Sequence, residues 1–214
     1  METLNPLHCE TDLDSLKTGD VIMCHSSPGD SPIDKVIEDA THSPWEHTGV
    51  IVRDPWWLSK KRTGLFIMQT GPGPNGYPDI IDGATSGVTL NHLEDFLANR
   101  TEIYVLTSSG HEWTHSARDS FSAAVREAHG KPYDKNPFRW CCVGLTSFLR
   151  CNRCAPKVVP RQTREFWCSA LVAFVFVKNG WLPNDTDWTC QTPADIITWE
   201  TTGGITLGEP WKLK

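Results

Sequence analysis

Cys168 is the residue in this chain whose setting most invites chemistry. It opens the run Cys168-Ser169-Ala170-Leu171-Val172-Ala173, which stays apolar as far as Val177 and stops at Asn179-Gly180. A segment apolar on every helical face belongs in a core, so Cys168 to Lys178 reads as a central buried helix with a thiol at its N-terminus. Unpaired N–H groups and the positive end of the helix dipole favour the thiolate there. That is the form a nucleophilic cysteine needs. The plain alternative is a small buried hydrophobe. A thiol also needs a base. His47, in Trp45-Glu46-His47-Thr48-Gly49-Val50-Ile51-Val52, stands at the start of a β-branched strand, from which a side chain can project over a cleft. Its second ring nitrogen requires an orienting group. Gln69, a polar residue late in Leu65-Phe66-Ile67-Met68-Gln69-Thr70, offers an amide oxygen for that purpose.

Two other groupings raise metal chemistry. His111-Glu112-Trp113-Thr114-His115 is a literal H-E-x-x-H. On a helix it would set two imidazoles on one face, with Glu112 as base for a zinc-bound water. Its context is poor: Ser108-Ser109-Gly110 places it at a helix start, and the third ligand would have to be a distant acid such as Glu165. The plain reading is an exposed first helical turn. Cys151-Asn152-Arg153-Cys154 is a single C-x-x-C whose partners would be the adjacent Cys141 and Cys142, so a Cys-bearing surface loop is the simpler account. No metal and no cofactor is expected, and Cys9, Cys24 and Cys190 show no partner pattern.

These residues must be held by short elements. Strands are expected over residues 20–25, 48–53, 65–70 and 103–107, with a strand end at Val88-Thr89-Leu90. Helices are expected over residues 32–41, 91–97, 113–129 and 168–178, and Thr192-Pro193-Ala194-Asp195 can start a further short one. The Gly/Pro-rich stretch 71–87 is long enough for a functional loop. The order, strand and helix first, then three strands, then helices, predicts an α+β fold with an antiparallel sheet, small and open or closed into a barrel. The 214 residues read as one domain, residues 1–214, without repeats.

Composition narrows the function classes. Hydrophobic residues make up 39% and charged residues 21%, which excludes a long coiled coil and a disordered chain. The net charge of −6 argues against general nucleic-acid binding, and no nucleic-acid partner is expected. Basic residues do cluster, at Arg150, Arg153, Lys157, Arg161 and Arg164, and at Lys60, Lys61 and Arg62 behind the pair Trp56-Trp57. The second cluster could meet a membrane surface, although charge runs are more often a solvated loop. With the acidic, polar start Met1-Glu2-Thr3 no signal peptide is expected, and the apolar run Ala170 to Val177 is too short to span a bilayer. A cytoplasmic or virion-packaged protein with reduced thiols is the expectation. The sequons at Asn99 and Asn184 then carry no weight.

Five segments in order resemble one family. Leu16-Lys17-Thr18-Gly19-Asp20-Val21-Ile22 is similar to its opening Gly-Asp strand. Thr41-His42-Ser43-Pro44-Trp45-Glu46-His47-Thr48-Gly49 is similar to its Ser-x-x-x-His-x-Gly segment. Gly130-Lys131-Pro132-Tyr133-Asp134 resembles its Gly-x-x-Tyr-Asp turn, Phe166 to Val172 its Cys-Ser-x-Leu-Val helix start, and Thr192-Pro193-Ala194-Asp195 its closing Pro-x-Asp. The family is the circularly permuted branch of the papain-like, NlpC-type cysteine hydrolases. It includes YiiX-like bacterial proteins, a poxvirus group and lecithin–retinol acyltransferase-like enzymes. The resemblance implies a permuted papain-like fold, Cys168 as nucleophile, His47 as base and Gln69 at the third polar position. It also implies a peptide, amide or lipid-ester substrate. Trp45, Trp167 and Tyr133 flank these motifs and are the expected substrate contacts. Two departures stand out: Gln69 lies where YiiX-like members usually carry Glu, and Ala170 where the family often has Glu. The alternatives are a catalytically silent papain-like scaffold binding lipid or a protein, and a zinc metallopeptidase built on His111, Glu112 and His115.

Overall fold

A computed structural model of the chain describes residues 13–25, 43–71, 77–134 and 164–214. Strands β1 (Val21–His25), β2 (Trp45–Arg53), β3 (Leu65–Gly71) and β4 (Gly87–His92) come first. Helix α1 (Leu93–Ala98), β5 (Ile103–Leu106), β6 (Ser108–Ser109) and α2 (His115–Ala128) follow. The last part holds α3 (Cys168–Lys178), α4 (Pro193–Ile197), β7 (Thr206–Leu207) and β8 (Trp211–Lys212). Six strands form one sheet in the order β4-β3-β2-β1-β5-β8, and β6 pairs with β7. All these pairs are antiparallel, so the chain is an α+β protein with an antiparallel sheet. The helix expected at 32–41 lies outside the described residues, as do Cys9, Cys141, Cys142, Cys151, Cys154 and all of the first basic cluster except Arg164.

The strands are apolar along their length because both sheet faces are covered. Successive side chains alternate between faces. Val21, Met23, Val50, Val52, Phe66, Met68, Val88 and Leu90 meet α3 and α2 on one face. Ile22, Cys24, Ile51, Ile67, Ile103 and Val105 meet Leu93 and Phe96 of α1 on the other. Gly49 is required where β2 and β3 approach: a Cβ there would lie 2.8 Å from Ile67 and 2.9 Å from the Met68 carbonyl oxygen.

Helix α3 is buried from Cys168 to Val177, as its unbroken apolar sequence predicts. Its entry is fixed at several points. Tyr133 and Phe166 form a parallel bridge, with Asp134 N–H donating to the Phe166 carbonyl and Phe166 N–H to the Pro132 carbonyl, each at 3.0 Å. The turn 130–134 is in turn tied to β4, where Val88 N–H donates to the Lys131 carbonyl at 2.8 Å. The Gln191 carbonyl accepts from the Trp167 indole at 3.0 Å and from Ser169 Oγ at 2.7 Å. Next to it Thr192 and Asp195 close a capping box on α4.

One expectation needs correction. Helix α2 starts at His115 with Thr114 as its cap, so His111-Glu112-Trp113-Thr114 are not helical. The imidazoles of His111 and His115 therefore share no helical face, and the zinc-metallopeptidase reading loses its geometry. His111 packs instead between Trp113 and Trp181, with ring centroids 5.1 and 4.9 Å away. The indoles of Trp56 and Trp57 are half-buried and pack on Phe121 and, for Trp56, Trp113. Lys60, Lys61 and Arg62 are exposed.

Candidate active site

The Cys168 thiol sits against β2 on either side of His47. Its S–H points at the Glu46 carbonyl, 3.9 Å away, and the Thr48 amide donates to the sulfur. This edge of β2 is open. The β2–β3 register runs from Arg53↔Leu65 to Val50↔Met68, and Thr48 lies beyond it. At the end of that ladder the sulfur takes the Thr48 N–H that a third strand would otherwise have used.

Strand β2 carries a bulge here. Cys24 faces His47 and His25 faces Trp45, which leaves Glu46 as the extra residue. Glu46 is buried, and its Oε1 accepts from Arg100 Nη1 at 2.9 Å. The Arg100 guanidinium lies 5.1 Å from the centre of the Phe96 ring, and the His47 ring stacks on the same Phe96 at 6.0 Å. Arg100 also hydrogen-bonds Tyr77 and Cys24.

His47 and Gln69 meet directly, with His47 Nε2 and Gln69 Oε1 2.9 Å apart in a buried site. A chain of hydrogen bonds settles which atom donates. Asn91 Nδ2 donates to the Tyr77 and Pro78 backbone carbonyls at 3.4 and 3.1 Å, and carbonyls can only accept. Asn91 Oδ1 therefore faces Gln69 as an acceptor, taking Gln69 Nε2–H at 3.0 Å and Thr89 Oγ1–H at 2.7 Å. Gln69 in turn presents Oε1 to the imidazole. His47 must donate from Nε2, and Nδ1 keeps the lone pair.

Burial, aided by the Arg100 charge, holds the imidazole well below its usual range; the Gln69 bond opposes this. Burial likewise pushes the Cys168 thiol up to about 11, against the lowering pull of the Thr48 and Ser169 amides and of Arg100. The expected resting thiolate is thus corrected: at a site 3% exposed, desolvation outweighs the helix terminus, and both partners rest neutral. Cys24 is pushed further, to about 12, by the same burial.

The expected substrate contacts diverge. Tyr133 and Trp167 are buried in the core under α3. Trp45 is half-buried, its ring 4.1 Å from His25 and 5.2 Å from Tyr104. Sequence reasoning missed Glu46, Tyr77, Asn91 and Arg100. Their signal was weak: a charged residue beside His47, and a buried amide, Asn91, in a strand that also carries Thr89.

Among the described residues, Asp79, Asp82 and His129 bring ligand atoms within 4.8 Å of one another. Their bonds are those of a loop staple. Asp79 Oδ2 pairs with His129 at 2.7 Å and accepts the Leu90 amide, while Oδ1 accepts the Ile81 amide at 2.6 Å.

The fold and this site define an α+β protein with a thiol and an imidazole on neighbouring elements. No family model and no curated protein matches the chain. Among solved structures it is similar to the metalloprotein YiiX from Escherichia coli O157:H7, DUF1105, at 19% identity and a TM-score of 0.47. The match covers 76% of this chain and 66% of that one, just under two thirds.

Proposed function

We propose that the chain is a thiol-dependent acyl hydrolase or acyltransferase of permuted papain-like design, with Cys168 as nucleophile, His47 as base and Gln69 as orienting residue. The observation that carries the reading is the directional chain from the Tyr77 and Pro78 carbonyls through Asn91 and Gln69 to His47. It leaves Nδ1 as the base on the strand whose backbone holds the thiol. As Cys168 attacks an ester or amide carbonyl, Nδ1 takes the S–H proton. The tetrahedral oxyanion collapses, the imidazolium protonates the departing alkoxide or amine, and an acyl thioester remains on Cys168. Water, or another acceptor, gives its proton to Nδ1 as it attacks the thioester; the Cys168 sulfur leaves and takes that proton back, and the acyl group is released. Gln69 steers the ring but brings no charge to the imidazolium, which argues for a slow enzyme. Of the three expected substrate contacts, Trp45 keeps the exposure that role needs. The exposed Lys60, Lys61 and Arg62 suit a lipid substrate at an anionic surface.

The test is acylation by a p-nitrophenyl ester, followed by intact-mass and peptide mass spectrometry. The expected result is one acyl group on Cys168, absent in Cys168→Ala. No adduct, or one on Cys24 instead, defeats the proposal. The neutral resting thiol favours a second reading, a silent scaffold that binds without turnover, and a missing adduct would support it.

A further inference from the structure

We propose that Arg100 is a positioning residue of the Cys168 site, acting through Glu46: it clamps the bulged residue whose carbonyl receives the thiol and sets a positive charge one residue away from the sulfur. The inference rests on the thiol reading given above.

The geometry is a short relay. The Cys168 S–H meets the Glu46 carbonyl at 3.9 Å, and the Glu46 carboxylate meets Arg100 Nη1 at 2.9 Å. A bulge is the least constrained part of a strand, because its extra residue lies outside the regular ladder. Glu46 must therefore be held by its side chain, and a buried carboxylate stays charged only beside a cation. Arg100 meets both needs from outside the sheet. It lies two residues past the end of α1, after Asn99, and its guanidinium is braced on Phe96, the ring on which His47 also stacks. Tyr77 and Cys24 take further hydrogen bonds from it. One side chain thus joins β1, β2, α1 and the segment before β4 around the thiol. The same charge favours a thiolate at Cys168 and disfavours a proton on His47.

The test uses the full chain and compares wild type with Arg100→Met and Arg100→Lys. Three readouts apply: ester acylation of Cys168, its alkylation by iodoacetamide between pH 8 and 10, and the ratio of iodoacetate to iodoacetamide rates at that thiol. Arg100→Met is expected to slow alkylation about tenfold, the effect of one pH unit in thiol ionisation, and to lower the ratio severalfold. Arg100→Lys keeps the charge and should restore the ratio, while its acylation stays low because a lysine ammonium lacks the planar guanidinium that reaches Glu46 while lying on the Phe96 ring. A purely structural role would not move the ratio. Equal ratios in all three proteins overturn the inference, as does a lysine variant that loses the ratio as fully as the methionine one. Where Arg100→Met does not fold, Arg100→Gln takes its place. Absence of any acyl adduct in the wild type would defeat the thiol reading, whereas an adduct formed equally by wild type and Arg100→Met would defeat this one alone.

Discussion

The two faces of the central sheet are built on different principles. The face under α3 is aromatic and forgiving. Trp56, Trp113, Phe121, Trp181 and Phe176 pack edge to face or tilted, and the indole nitrogens of Trp56, Trp57 and Trp181 are buried without a hydrogen-bond partner among the described residues. The face under α1 is directional. From the Tyr77 carbonyl to His47 each donor is matched to one acceptor, and turning over one amide would reverse every role downstream. Apolar packing tolerates local loss because it is the sum of many weak contacts. A polar chain in a dry site does not. Stability should therefore answer mainly to the first face and chemistry to the second.

The sharpest break in that division is at the thiol. Cys168→Ala should abolish ester acylation while the thermal midpoint changes little, and His47→Gln should lower the acylation rate about 10²- to 10⁴-fold. A residual rate above one tenth of wild type in His47→Gln would remove the histidine from the mechanism. Next come paired variants, one on each face. Phe174→Ala, in the α3 core, should cost about 3–5 kcal/mol in denaturant unfolding, with acylation per folded molecule unchanged. Asn91→Leu removes the acceptor that fixes Gln69 and should cost less stability, about 1–3 kcal/mol from the orphaned amide, yet slow acylation at least tenfold. If both variants lose stability and activity in proportion, the two faces are not separate.

A subtler contrast lies in pH. Burial holds the folded His47 below its ordinary 6.5, so the unfolded chain binds that proton first. Its contribution is complete above about 6.5 and is lost as the pH falls below it. His129 runs the other way. Its bond to Asp79 raises it above 6.5, so its contribution is complete below that value and is lost as the pH rises through the raised value. His47→Gln should flatten the acid limb of a plot of thermal midpoint against pH, and His129→Gln the limb above 6.5. Exchange of the two effects would show that the signs are wrong. The smallest effect belongs to neither face. Replacing Lys60, Lys61 and Arg62 by alanine should leave stability within about 0.5 kcal/mol while weakening co-sedimentation with anionic vesicles. Unchanged pelleting would remove the membrane surface from the proposal.

Much of this architecture is legible in the sequence, and the reasons are local. Helix α3 matches its expected span of 168–178 because its apolar run and the Asn179-Gly180 stop leave no other reading. The strands around Val50 and Ile67 follow from β-branched and apolar runs, although β2 extends to Trp45 and so takes His47 into the strand. Helix α2 starts two residues late because Thr114, a good cap, ends the irregular stretch from His111. At the site, the pairing of His47 with Gln69 was legible, since a polar residue in a buried strand needs a partner. The bulge at Glu46 was not: it depends on register across β1, and a single strand's sequence carries no register. Arg100 was equally hidden, because its partner lies 54 residues away. The protonation of Cys168 was misjudged for a related reason. A helix terminus can be read from sequence, whereas the depth at which it is buried cannot.

The sulfur's place on the edge of β2 has one more consequence. From Val50 onward that strand edge ends on other peptides, but at Thr48 it ends on an atom that reagents can change. Acylating or oxidising Cys168 alters the acceptor seen by a backbone amide, so the covalent state of the thiol is written into the exchange rate and chemical shift of Thr48 N–H. The molecule carries its own reporter, legible by amide NMR without a label.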